Sequence, residues 1–307
     1  MRFTSGTATL RYGEEMQRGS SSHIFLQQRL TPVLLDTLAQ GGVAAIEVFA
    51  ARHHFDYTDR EAVRELAGWF RSNPVAASLH MPLFEDDVPW TRHAAPTLNL
   101  ISSNKGTRID TMDEVKRALE AAELLPFKSC VIHLGLKDDQ WDTRALDDSL
   151  TAIEHLKAFA SPLGVKLLLE NLTNEVATPE HLVEIVRVGH FANVGFCFDV
   201  GHAHLGQSLP ETKDAPARSA VELAFAAFAP VADRVAELHL HDNHGVRDEH
   251  LWPGESAEAG SIDWAATRGL LASLPAETVA LLEIAHELGE DAKQVSEGMR
   301  AAWERLW

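Results

Sequence analysis

The chain has 307 residues, 45% hydrophobic and 23% charged, which is ordinary for a globular protein and long enough to bury a large core without disulfide staples. A formal net charge of −18 disfavours non-specific contact with nucleic acid or anionic lipid, and no apolar run reaches membrane-spanning length. Cys130 and Cys197 sit in apolar runs and make no disulfide framework. With no secretory h-region at the N-terminus, the cytoplasm is the expected compartment.

From about residue 20 onward, short β-rich runs alternate with helical ones. "SSHIFL" reads as a first strand. "TPVLLDTLAQGG" reads as a helix, with a Thr cap, Pro at its first position and closing glycines. "VAAIEVFA" is the second strand and "DREAVRELAGWFRS" its helix. "VAASLHMP" is the third, with "TMDEVKRALEAAELL" after it. "SCVIHLG" is the fourth, followed by "RALDDSLTAIEHLKAFASPLG". "VKLLLENL" and "TPEHLVEIVRVG" form the fifth pair, and "VGFCFDVGHA" and "SAVELAFAAFAPVADR" the sixth. "VAELHLHDN" and "SIDWAATRGLLASLP" form the seventh. "TVALLEIAHE" and "DAKQVSEGMRAAWERLW" form the eighth.

Eight such units without a linker predict a single (β/α)8 TIM barrel over residues 1–307, with 1–19 as an N-terminal extension of uncertain structure. A doubly wound open sheet is the alternative, weakened because no G-x-G-x-x-G follows the first strand.

The strand ends carry the chemistry. Strand three ends in His80, strand four in His133 and strand five in Glu170. Strand six ends in Asp199, with His202 three residues on. Strand seven carries His239, its loop carries Asp248 and His250, and strand eight ends near Glu283. Any one of these is more easily a hydrogen-bonded core histidine or a helix cap. Nine together, at the ends that converge on one face of a barrel, point to a metal centre. His and carboxylate donors without paired Cys suit Zn²⁺, Mn²⁺, Fe²⁺ or Co²⁺ rather than Ca²⁺. Nine donors exceed the needs of one ion, so one to three ions are expected.

The pieces "SLHMP", "VIHLG", "LLLENL", "GFCFDVGHA", "HLHDN", "RDEHLWPGE", "SIDW" and "LLEIAHE" resemble the xylose-isomerase-like TIM-barrel superfamily over nearly the whole chain. That group contains sugar phosphate isomerases and epimerases and the endonuclease IV type of apurinic endonucleases. The resemblance implies one divalent ion, Mn²⁺, Zn²⁺ or Co²⁺, held by Glu170, Asp199, His239 and Glu283. It implies Glu170 and Glu283 as the acid/base pair, with His202 touching substrate. In the nuclease members five more positions hold further zinc; they match His80, His133, His202, Asp248 and His250. His239 and His241 share strand parity, and the resemblance selects His239 as the ligand, leaving His241 to support the site or the substrate.

Three functions follow. The first is a metal-dependent isomerase or epimerase of a sugar, sugar phosphate or polyol. Phe25, Phe49, Phe55, Trp90 and Trp252 are its candidate sugar-stacking rings. The second is a trinuclear zinc phosphodiesterase. The third is an inactive metal- or sugar-binding barrel. "HDN" after strand seven and the "GESAEAG" turn depart from the nuclease pattern. The loop after strand three is charge-balanced rather than basic, which favours the first function and makes nucleic acid a poor partner. A homo-oligomer is left open.

Overall fold

Short β-branched and apolar runs cannot bury both faces alone, and helices between them supply the cover. In the computed structural model, which describes residues 16–85, 94–210, 212, 216–254, 260–285 and 292–307, eight strands close into one parallel barrel in chain order. They are β1 (Gln17–Ser21), β2 (Ala45–Phe49), β3 (Ala76–His80), β4 (Phe127–Ile132), β5 (Lys166–Glu170), β6 (Gly195–Asp199), β7 (Val235–Leu240) and β8 (Val279–Leu282). Residues 17–20 of β1 pair with 279–282 of β8, which shuts the ring.

The described helices are α1 (Pro32–Gln40), α2 (Arg60–Ser72), α3 (Lys105–Glu120), α4 (Thr143–Ala160), α5 (Pro179–Val188), α6 (Val200–His204), α7 (Ala220–Phe228), α8 (Trp264–Leu271) and α9 (Ala292–Leu306). Their starts are written locally. Pro opens α1 and α5, and the side chains of Asp59, Asn104 and Asp142 accept from the first amides of α2, α3 and α4. Among the described residues no helix is long and apolar enough to cross a membrane.

Three elements differ from the sequence reading. The first strand lies at Gln17–Ser21, and Ser22–Phe25 of the expected strand form a 3₁₀ turn instead. Residues 17–19, placed by the sequence in the extension, thus belong to the barrel wall. Gly19 explains the shift: an added Cβ there would collide with Leu281 and press on the Ala45 carbonyl, so this backbone alone fits between β2 and β8. The apolar Ile24, Phe25 and Leu26 are still buried, as a plug rather than a strand. The helix after strand six stops at Phe228 and continues as 3₁₀ through Pro230 to Arg234, because an interior proline breaks the α ladder. The short α6, directly after β6, was not anticipated. Trp90, most of the "GESAEAG" turn and the first fifteen residues lie outside the described residues.

One large apolar core fills the space between strands and helices. A second, small cluster of Val131, Leu168 and Cys197 lies two residues before His133, Glu170 and Asp199 on the same strand faces, and so faces the barrel axis. Around it the interior is polar, with Glu47, Ser78, Ser129 and Glu237 all buried.

Candidate metal centre

Parallel strands present their carboxyl ends together, so side chains far apart in sequence meet there. All nine residues singled out by the sequence are brought to that end. Together with His241 they fall into three adjoining groups, among several that overlap, each with donor atoms within 4.8 Å of one another: His80, His133 and Glu170; Glu170, Asp199, His239 and Glu283; and His202, His241, Asp248 and His250. Glu170 belongs to two of them.

The first group is tight. His133 Nε2 lies 2.9 Å from Glu170 Oε2, and His80 Nε2 lies 3.1 Å from His133 Nε2. His80 donates Nδ1–H to the Met81 carbonyl at 2.9 Å, which leaves its Nε2 facing His133 and Glu170. Phe49 stacks on the His80 ring at 4.4 Å and fixes its plane.

In the third group, Asp248 Oδ2 lies 3.2 Å from His202 Nε2 and 3.1 Å from His250 Nε2. Each histidine again spends Nδ1 on a backbone carbonyl, His202 on Asn171 at 3.0 Å and His250 on Glu283 at 2.8 Å. His250 adopts a positive φ of 49°, a sparsely populated conformation for a residue with a side chain, held by the bridge between Asp242 and Leu251.

The middle group is the most buried. His239 Nδ1 faces Glu283 Oε2 at 3.2 Å, Glu170 Oε1 at 3.5 Å and Asp199 Oδ2 at 3.8 Å, yet neither ring nitrogen makes a hydrogen bond. An imidazole left unpartnered among three carboxylates, in a place without water access, is costly unless a cation completes it. The donor set is that of a divalent transition metal, so the residues present fit such an ion.

The electrostatics follow from crowding. Burial pushes the Glu170 and Glu283 carboxyls up, but the surrounding imidazoles outweigh it and hold both well below the usual carboxylate range. Burial works against charge on His250, but Asp248 and Glu283 raise it to about 9. His202 is likewise raised, by Asp199 and Asp248 against its burial.

The centre floors a cavity of about 980 Å³ lined by His80, His133, Glu170, His202, Asp248, His250 and Glu283. Asp199 and His239 lie fully buried behind them. His241, expected at the substrate, is also closed off; its Nε2 lies 3.1 Å from Asp199 and its ring stacks under His250 at 4.0 Å. Gly201 makes that approach feasible, because a Cβ there would fall inside the His241 ring. Trp252, the other expected substrate contact, does not line the cavity. Its indole packs over Gly298 of α9, where a glycine leaves a flat seat. Phe49 does line it, whereas Phe25 and Phe55 are buried in the core.

The sequence reading missed several supporting residues. His23 lines the cavity and joins a group with His250 and Glu283. Asn171 exchanges two 2.9 Å hydrogen bonds with the Asp199 backbone and so fixes β5 against β6 at the site. Asp242 accepts from the Ile262 amide and, at 2.8 Å, from Trp264 Nε1, while Asn243 reaches the Gly201 carbonyl at 2.9 Å. "HDN" and "SIDW" are therefore two halves of one brace. Glu47 had a visible signal, a lone acid inside the apolar run "VAAIEVFA".

The family model for xylose isomerase-like TIM barrels matches residues 35–305. Among curated proteins, the uncharacterized protein MJ1311 of Methanocaldococcus jannaschii is 29% identical over 78% of this chain and 75% of its own. A probable endonuclease 4 of Haloarcula marismortui is 27% identical over 54% of this chain and 61% of its own. Among solved structures, a D-tagatose 3-epimerase-like protein aligns with TM-score 0.70 at 24% identity, over 95% of this chain and 98% of that one. The IOLI protein with a binding zinc atom aligns with TM-score 0.73 at 18% identity, over the same shares of 95% and 98%. These two structures share the fold with this chain.

Proposed function

Since the chain belongs to the xylose isomerase-like TIM-barrel family, we propose that it is a divalent-metal-dependent isomerase or epimerase acting on a sugar, sugar phosphate or related polyol. The observation that carries this reading is the unpartnered His239, buried just behind the cavity floor among Glu170, Asp199 and Glu283. Those four residues would hold the ion; Zn²⁺, Mn²⁺ and Co²⁺ all suit them. When bound, the ion polarises a carbonyl and its neighbouring hydroxyl and lowers the cost of an enediolate.

The protein's own groups do the rest. Glu170 and Glu283 are both ionised and stand on separate strands. One removes the proton from the carbon beside the carbonyl and becomes protonated; the other takes up a proton from water in the cavity before it returns one to the carbon. His133 holds one oxygen of Glu170 at 2.9 Å, and the His202 ring, anchored on Asn171, stands 3.2 Å from the other. The cavity, which Phe49 lines beside His80, is large enough for a monosaccharide. The D-tagatose 3-epimerase-like neighbour supports the substrate class, and the zinc-bound neighbour supports the cofactor. Two buried, unpaired cysteines suit a reducing compartment such as the cytoplasm.

Glu170→Gln and Glu283→Gln test the assignment, with turnover and solvent-deuterium incorporation measured over a panel of ketoses, aldoses and their phosphates. Each variant should lose turnover by at least ~10²-fold while staying folded. Near-parental activity in either one rejects the acid/base pair.

A second reading, a three-ion zinc phosphodiesterase, is favoured by one observation: the nine donors and His241 include three adjoining groups, with Asp248 between two imidazoles. The probable endonuclease 4 relative supports it. Three tightly held zinc ions per chain and hydrolysis of a simple phosphodiester would select it; one exchangeable ion selects the first reading.

A further inference from the structure

Glu47 is fully buried in β2, and neither of its carboxylate oxygens makes a hydrogen bond. A buried acid without partners is expensive, so its place needs a cause. It shares its level of the barrel interior with Ser78 and Glu237. Glu237 is provided for, since Ser78 donates to one oxygen at 3.2 Å and Ser129 to the other at 3.0 Å. The nearest basic atom to Glu47 is Nε2 of His239, 3.3 Å from Oε2, while Glu237 stands farther off at 3.9 Å. The imidazole of His239 is therefore a plate between two layers. Nδ1 faces the carboxylates at the cavity floor and Nε2 faces Glu47 below.

Three other histidines of the centre are arranged the opposite way. His80, His202 and His250 each anchor Nδ1 on a backbone carbonyl and present Nε2 to the site. A backbone anchor cannot be removed by substitution and carries no full charge. His239 has no backbone anchor on either nitrogen, and what stands behind its Nε2 is the carboxylate of Glu47.

We propose that Glu47 is a positioning residue that takes the Nε2–H of His239, fixing the ring and its tautomer so that the Nδ1 lone pair points at the ion-binding carboxylates. This rests on the metal reading above. A negative charge behind the ring also makes the imidazole a stronger donor to a cation, as carboxylate-backed histidine ligands do. Glu47 does not touch the cavity, so its effect passes through His239.

The test uses full-length protein with isotope-labelled histidine, freed of metal and titrated with Zn²⁺ alone. Zn²⁺ affinity is read from the His239 Nδ1 resonance, and the hydrogen bond from the shift and exchange rate of its Nε2–H in the loaded protein. Glu47→Gln, which keeps an acceptor oxygen but no charge, should weaken Zn²⁺ binding at His239 about 10–100-fold and move the Nε2–H signal upfield. Glu47→Leu should weaken binding further and let that proton exchange freely, whereas Glu237→Gln should stay much closer to the parent. Should the Leu variant not fold, the isosteric Gln variant decides. Parental Zn²⁺ affinity with an unmoved Nε2–H in Glu47→Gln overturns the positioning role and leaves the metal reading standing. A parent protein that binds no Zn²⁺ at His239 overturns both.

Discussion

The loop between β7 and α8 offers the sharpest quantitative test. Asp248 Oδ2 sits 3.2 Å from His202 Nε2 and 3.1 Å from His250 Nε2, and both imidazoles have their other nitrogen anchored on backbone. If the loop grips an ion of its own, Asp248→Ala/His250→Ala removes two of its ligands. A four-ligand structural zinc site is worth about 10–16 kcal/mol, so about 2.5–4 kcal/mol per ligand. Losing two ligands then costs about 5–8 kcal/mol, or about four to six powers of ten in affinity. The groups around His133 and His239 use neither residue and should keep their ions. Elemental analysis after dialysis against a weak chelator, with calorimetric Zn²⁺ titration, should show one ion fewer per chain than the parent. The Asp248 side chain is 37% exposed, so its removal opens no sealed cavity and the fold should persist. Equal ion number and equal affinity in the double variant would refute the grip. Asp248 and His250 would then only brace the loop, and a single-ion site would remain.

Gly201→Ala drives a Cβ into the His241 ring and should destabilise the protein by about 1–3 kcal/mol in chemical denaturation. Adding His241→Ala should recover part of that loss; strict additivity of the two costs would show that they are not in contact. Burial pushes the Glu114 carboxyl up, but hydrogen bonds from Tyr57, Arg52 and Arg117 outweigh it and hold it below its ordinary value. A carboxylate so depressed stabilises the fold above its unfolded pKa of about 4.3 and loses that contribution as pH falls through its lower folded value. Glu114→Gln should therefore flatten the acid limb of the stability–pH curve, and an unchanged limb would show that this cluster contributes nothing to it.

The sequence alone determined the barrel and the cast of its centre, for a physical reason. Eight apolar runs separated by capped helices leave few ways to bury both faces of a sheet, and parallel pairing sends every strand end to one rim. His80, His133, Glu170, Asp199, His239 and Glu283 stand at or just past those ends. What the tertiary structure decided depends on neighbours that no local pattern encodes. The first strand fell at Gln17–Ser21 because Gly19 alone fits against Leu281 and Ala45. Strand parity left His239 and His241 equivalent. Packing separated them, giving His239 the three carboxylates and placing His241 beneath His250 through the gap at Gly201. Trp252 had the chemistry of a sugar platform, but a glycine on α9 drew it away from the cavity. Glu47 was only an odd acid in an apolar strand until barrel closure set it 3.3 Å beneath His239, because which inward side chains share a level is fixed by strand register across the ring.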